Sequence, residues 1–159
     1  MPIVLVRVDD RLIHGQVLEG WVPKTRAQEL VVANDAAACD DVLRMIMESA
    51  TPDTISLVVE TVDKIAEMLT KEADSSLRRI IIMDSPSDAL RLKRAGVPFD
   101  RLNVGNLRTN NGKVCLSRSV IVGDDSIRVL HELVGEGVQV YIQSVPFETP
   151  LTFPDSATK

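Results

Sequence analysis

Ile3-Val4-Leu5-Val6-Arg7-Val8 runs straight into Asp9-Asp10-Arg11-Leu12-Ile13-His14-Gly15, and a helical spacing follows from Gln16 to Pro23. A buried strand, a short polar loop and a helix start are the opening of an α/β unit. Open α/β sheets bind ligands at the carboxyl ends of their strands, which is where this loop falls. The loop holds one of the chain's two histidines, with an arginine three residues ahead of it. A histidine is neutral and nucleophilic near neutral pH. Arginine offers a planar fork of donors matched to phosphate oxygens. A helix start at Gly15-Gln16 adds free backbone N–H groups that favour an anion. Leu12 and Ile13, apolar between two polar residues, are expected to anchor the loop to the core.

The alternation continues along the chain. Short apolar, β-branched runs recur at Glu29–Ala33, Thr54–Val59, Arg79–Met83, Arg101–Val104, Lys113–Ser117 and Val138–Gln143. Helical spacing separates them at Ala37–Ser49, Val62–Lys71, Pro86–Arg94 and Ser126–Val134. The expectation is a single α/β domain over residues 1–159. It would be an open, mostly parallel twisted sheet of about seven strands with helices on both faces, its active-site loop after the first strand. Between Arg101–Val104 and Lys113–Ser117 lies only the turn signal Asn110-Asn111-Gly112, so these strands are either a hairpin or neighbours joined by a loop. From Pro146 on there is no clear period, and a mobile tail is expected from about residue 147.

Composition narrows the function. The chain has 159 residues, 45% hydrophobic and 26% charged, with only 3% aromatics, so the core must be aliphatic. A net charge of −5 argues against a nucleic-acid partner. No apolar run approaches the roughly 20 residues that span a bilayer. Met1-Pro2 leads into a strand without a basic n-region, which predicts no secretory signal and a cytoplasmic location. Cys39 and Cys115 are isolated and lack metal-ligand spacing, so reduced thiols, no metal and no cofactor are expected.

Within the loop, Asp9 and Asp10 admit three readings. They are solvated acids, or a magnesium-binding pair as in receiver domains, or one of them accepts a hydrogen bond from His14 and selects its reactive nitrogen. A receiver would need an aspartate at the end of the third strand, where Glu60 stands, so the orienting role is preferred, with Asp9 ahead of Asp10. His131 lies in a helical stretch beside Glu132 and has no comparable setting. Ser85 ends the fourth strand after Asp84. It is either a simple cap for the helix that Pro86 opens or a hydroxyl facing the His14 loop across a switch point. Gly105, between Asn103 and Asn106, would permit close backbone approach.

The segment Val6-Arg7-Val8-Asp9-Asp10-Arg11-Leu12-Ile13-His14-Gly15-Gln16-Val17, with Trp21 just after, resembles the active-site signature of enzyme IIB components of the mannose/fructose/sorbose family of the bacterial phosphotransferase system. Val31-Val32-Ala33-Asn34-Asp35, Ser85 to Leu92, Leu102-Asn103-Val104-Gly105 and Gly137-Val138 to Val145-Pro146 match in kind and order. The first motif is long and specific; the others are weak alone. Two departures stand out. The family often has Gly-Gly-Met where this chain has Gly105-Asn106-Leu107, and commonly a threonine or lysine where Asp84 precedes Ser85.

The resemblance implies a protein-N(pi)-phosphohistidine–sugar phosphotransferase. His14 would take a phosphoryl group on its δ nitrogen from a phosphorylated IIA protein. It would pass the group to a sugar held by the membrane components IIC and IID. Arg11 matches the arginine that binds the phosphoryl group and Asp9 a nearby active-site acid, while Gly15, Gln16 and Ser85 are the further candidates for phosphate contact. Arg11, helped by Lys24, Arg26 or Arg108, would steer an acidic IIA face to the loop. Two other readings stand beside this one: a regulatory phosphocarrier of the same fold, and a module that binds a small molecule without covalent chemistry.

Overall fold

The computed structural model describes residues 3–109 and 111–154. Among the described residues nine strands form the sheet: β1 (Ile3–Asp9), β2 (Glu29–Ala33), β3 (Ser56–Glu60), β4 (Arg79–Met83), β5 (Arg101–Arg108), β6 (Val114–Ser117), β7 (Val120–Val122), β8 (Gln139–Ile142) and β9 (Leu151–Phe153). The helices are α1 (Val22–Thr25), α2 (Asp35–Ala38), α3 (Asp41–Ala50), α4 (Val62–Lys71), α5 (Pro86–Arg94) and α6 (Asp124–Gly135). Strand order runs β3-β2-β4-β1-β5 with every pairing parallel.

Strands buried on both faces explain the continuous apolar runs. Leu5, Leu30, Val32, Ile80 and Ile82 pack with Val17, Trp21, Ala37 and Met47 on one face. Val6, Val8, Val31, Ala33, Ile81 and Met83 pack with Ile65, Leu69, Ala89, Leu92 and Leu130 on the other. Ile80, Ile81 and Ile82 are fully buried, and each such side chain contributes roughly 1.5–3 kcal/mol relative to an exposed one. Because β1 feeds the face of Trp21 while its neighbour β4 feeds α5 on the opposite face, the carboxyl end of β1 is a topological switch point.

β5 is where the sheet forks. Its first half pairs with β8, Arg101 to Val104 against Gln139 to Ile142, and its end pairs with β7 at Leu107 and Arg108. At the fork the Gly105 carbonyl accepts hydrogen bonds from Ser119 Oγ at 2.8 Å and Ser144 Oγ at 3.0 Å. These hydroxyls replace the ladder bonds that the split removes.

The strand count corrects the expected seven. β7 and β9 are three residues each, too short to show a period. β5 and β6 are neither a hairpin nor neighbours, because β7 lies between them, parallel to β5 and antiparallel to β6. β9 also overturns the expected mobile tail up to Pro154: it pairs antiparallel with β8 and buries Phe153. Asn110 of the predicted turn and residues 155–159 of the predicted tail lie outside the described residues. The single helix expected over Ala37–Ser49 is two. Asn34 caps α2 by accepting from Ala37 N at 2.7 Å, and Asp40 caps α3 by accepting from Leu43 N at 3.0 Å, so the second cap starts a new helix.

Candidate active site

β1 delivers two charged residues to the switch point. Leu5, Arg7 and Asp9 alternate on the face of β1 that meets Trp21, and the Arg7 guanidinium carbon lies 5.5 Å from that ring's centroid. Asp9, fully buried, is the hub. Its Oδ2 accepts from Arg7 Nη2 at 2.8 Å and from Arg7 Nε at 3.2 Å, and lies 2.6 Å from His14 Nε2. Its Oδ1 accepts from the backbone N–H of Arg11 at 3.0 Å. Burial alone would push the Asp9 carboxyl up. The His14 hydrogen bond, the Arg7 charge and the Arg11 amide together outweigh it and hold the group below the usual aspartate value.

An ionised carboxylate only accepts, so the His14 ring donates through Nε2. A neutral imidazole then carries its lone pair on Nδ1. That nitrogen faces the helix start, where Gln16 N–H donates to it at 3.3 Å. His14 is 14% exposed, shielded yet reachable. Arg11, with 45% of its side chain exposed, places Nη2 2.7 Å from Gln16 Oε1 and Nε 3.6 Å from Asp9 Oδ1. The loop thus gathers Asp9, Arg11, His14 and Gln16 into one bonded set.

The loop backbone is held at both ends. Leu12 adopts φ 57°, a left-handed conformation unusual for a leucine, and is buried. Such a conformation persists only where packing enforces it, and Leu12 with Ile13 lies in the cluster around Trp21, the anchoring role expected of them. Asp10 ties the loop to β5: its Oδ1 accepts from Asn106 Nδ2 at 2.6 Å and its Oδ2 from Arg108 N at 3.0 Å. The acid pair is therefore divided between two tasks. All four carboxylate oxygens already face N–H donors, and a buried guanidinium sits on Asp9, an arrangement unlike a pair of acids converging on a cation.

The segment after Gly15 differs from the α-helix expected over Gln16–Pro23. Gln16–Trp21 is a short π-helical segment closed by Val22 N donating to Val17 O, five residues back; Val17 N and Leu18 N donate to His14 O at its start, at 3.1 and 3.0 Å, and α1 follows as a single turn. Short π segments are frequent at functional sites. Individual amides, rather than a long helix dipole, are what the turn offers an anion. Gly15 has helical φ and ψ of −54° and −41°, and a Cβ there would meet nothing within 4 Å. Its bareness serves neither conformation nor packing, and it leaves open space beside the histidine.

Ser85 takes the capping alternative: its Oγ accepts from Asp88 N at 3.3 Å. It makes no hydrogen bond to the His14 loop among the described residues. His131 packs its ring 5.0 Å from that of Phe153, away from the loop. Trp21 is core, with Nε1 donating to Ser144 O at 2.9 Å. The residue that sequence reading missed is Arg7. It lies inside the apolar run of the first strand, and the signal that points to it is its alternation with Asp9 on one face.

A family model described as the PTS system sorbose subfamily IIB component matches residues 3–156. The N-acetylgalactosamine-specific phosphotransferase enzyme IIB component 2 of Escherichia coli K12 is 38% identical over 149 residues, 93% of this chain and 94% of that protein. The mannose-specific EIIAB component of the same strain is 28% identical over 159 residues, all of this chain and 49% of that protein. The crystal structure of the IIB domain of the sorbose permease from Klebsiella pneumoniae superposes with a TM-score of 0.88 at 29% identity, over 95% of this chain and 93% of that one. Among the described residues, no helix is long and apolar enough to cross a membrane.

Proposed function

The chain belongs to the sorbose subfamily of IIB components of the phosphotransferase system, which act in phosphoryl transfer during sugar uptake, and from that membership we propose that His14 Nδ1 is the atom that carries the phosphoryl group. The observation that supports this reading is the 2.6 Å contact between Asp9 Oδ2 and His14 Nε2. The donor is a phosphorylated IIA protein. A relative named for both an A and a B component, about half of which this chain covers, supports that partner. The acceptor is a sugar hydroxyl presented by the membrane components IIC and IID, with this chain on the cytoplasmic side. Relatives named for N-acetylgalactosamine, mannose and sorbose match this chain, which fits a sugar chosen by other components.

The lone pair of Nδ1 attacks phosphorus in line with the donor imidazole. The new N–P bond forms as the old one breaks, and its electron pair returns to the donor ring. The Nε2 proton stays in place, so the phosphorylated ring of His14 carries positive charge. The Asp9 carboxylate, 2.6 Å away, stabilises that charge as it develops, the role of the buried acid beside a catalytic histidine. The same proton eases the second step: the sugar hydroxyl attacks phosphorus and gives up its proton to a base on the acceptor side or to water, the N–P bond breaks, and the group that leaves is a neutral imidazole. The transferring group spreads charge over three equatorial oxygens, so prearranged donors supply most of the stabilisation. Arg11 provides a fork by releasing Gln16 Oε1. The N–H of Gln16, now on Nδ1, and the open space at Gly15 lie where those oxygens arrive.

Phosphorylation with radiolabelled phosphoenolpyruvate, the upstream carriers and a matching IIA tests the reading. Label should enter the wild type and His131→Ala and be absent from His14→Ala. Acid-labile label that persists in His14→Ala overturns it.

A further inference from the structure

The choice of Nδ1 depends on Asp9 standing still, and a side chain outside the transfer chemistry holds it there. Arg7 has no exposed side-chain surface. Three of its N–H directions are fixed on Asp9 and Asn103: Nε and Nη2 on Asp9 Oδ2, and Nη1 on Asn103 Oδ1 at 2.7 Å. Nη1 also reaches Gln143 O at 3.2 Å, and Asn103 Nδ2 donates to the same carbonyl at 3.0 Å. The β5 backbone makes room for the guanidinium. A Cβ at Gly105 would fall inside the planar group, so only glycine lets Arg7 lie there. The close approach that Gly105 permits is thus to an arginine of this chain.

The two arginines that touch Asp9 differ in freedom. Arg11 is half exposed, stands 3.6 Å from Oδ1 and is bonded to a surface glutamine. When it turns to a phosphoryl group, Asp9 loses that neighbour. Arg7 lies on the other side of the carboxylate and is clamped by β5 and by the Gln143 carbonyl after β8. It has no room to follow.

We propose that Arg7 is a positioning residue for phosphoryl transfer: clamped by Asn103, the Gln143 carbonyl and the bare backbone of Gly105, it fixes the Asp9 carboxylate so that Oδ2 takes the Nε2 proton of His14 and Nδ1 alone is left to attack. This rests on His14 as the phosphorylated residue. Arg7 touches neither the phosphoryl group nor the reacting nitrogen, and it acts through Asp9.

Two variants test it. Arg7→Lys keeps the charge and loses the fork. Gly105→Ala keeps every charge and polar group and wedges a methyl group into the guanidinium's place. Thermal melting of each is recorded first. Long-range proton–nitrogen NMR of the His14 ring then reads the tautomer directly, and transfer from phosphorylated IIA is timed beside the IIA concentration at half-saturation. The wild type should show Nε2 protonated and Nδ1 bare. In the variants the two nitrogen signals should move toward each other. Transfer should slow on the order of tenfold to a hundredfold, the scale on which losing an outer partner degrades a held histidine, with half-saturation unchanged. A folded variant that keeps the wild-type tautomer overturns the proposal, whatever its rate. Loss of cooperative melting in both variants also overturns it, leaving Arg7 as a structural residue only. A wild-type ring with its proton on Nδ1, or label absent from His14, would instead remove the reading on which the proposal rests.

Discussion

Asp9 Oδ2 accepts at once from the buried guanidinium of Arg7, at 2.8 Å, and faces His14 Nε2, at 2.6 Å. One oxygen thereby joins a stationary cation inside the sheet to the ring that, in the proposed transfer, would become cationic. Desolvating a carboxylate is costly, and here Arg7 offsets that cost in the resting state; in the proposed transfer the phosphorylated His14 ring would offset it further. On the proposed mechanism the site would suit the charged intermediate more than the free ring.

Replacing that acid separates its charge from its shape. Asp9→Asn keeps the size of the side chain, but it offers Nε2 only a neutral acceptor, or an N–H that favours the wrong tautomer. Phosphoryl uptake from IIA, followed by rapid quench, should fall by as much as ~10⁴-fold, the loss that a neutral amide beside a catalytic histidine causes in a serine-protease triad. The folded state should weaken by about 3–5 kcal/mol, because Arg7 is left buried without its anion. Uptake at the wild-type rate would mean that Asp9 is a loop acid and no more.

Acid should expose the same residue. The Asp9 carboxyl has an ordinary value of 3.8 and lies below it in the folded chain. Its contribution to stability is therefore complete above 3.8 and is lost as pH falls from there through the lower folded value. Asp88 works in the opposite sense: burial, with Asp84 nearby, raises its carboxyl, so protonating it favours the fold. Subtracting Asp9→Asn from the wild type cancels Asp88. The difference between their urea midpoints should be constant at higher pH and narrow steadily below 3.8. A gap that stays constant down to the lowest pH at which both fold would show that the carboxylate is not held by its partners.

Arg11→Lys isolates the fork. The side chain is 45% exposed and its hydrogen bond is to Gln16, so the melting temperature should not change. Transfer should slow by about 10²-fold, the effect of removing one prearranged donor to developing charge. An Arg11→Lys variant that transfers as fast as the wild type would place Arg11 among the solvated residues of the loop.

How much of this was legible follows from the range of the interactions. The loop after β1 was readable because strand, acids, arginine and histidine are contiguous, and the resemblance carried on the same residues extended it. Asp9 was preferred to Asp10 as the acid that orients His14, and the resemblance matches it to an active-site acid; the structure puts Asp9 at the ring and Asp10 on Asn106 and Arg108 N. Arg7 was not legible. Its partners Asn103 and Gln143 are 96 and 136 residues away, and only the pairing of β1 with β5, and of β5 with β8, brings them together. β9 escaped for a similar reason: three residues after a proline-rich stretch show no period, and β8 supplies the pairing that makes them a strand. The π turn escaped because its apolar positions, Val17 and Trp21, are spaced as an α-helix would space them.

Gly15 offers the cleanest separation of chemistry from folding. Its backbone is helical, and a Cβ there would touch nothing. Alanine in a helical conformation is favoured over glycine by up to about 1 kcal/mol, so Gly15→Ala should be as stable as the wild type or slightly more so. The added methyl group projects from the residue between His14 and Gln16, and in the proposed transfer it fills space that the phosphoryl oxygens need. Uptake from IIA should fall even as the melting temperature holds or rises, and the His14 ring should keep its proton on Nε2, because Asp9 and Arg7 are untouched. Melting curves, ring NMR and rapid-quench labelling on one preparation give all three readings. A variant that is more stable and transfers at the wild-type rate would mean that the phosphoryl group approaches His14 from another side, and would remove Gly15 from the site.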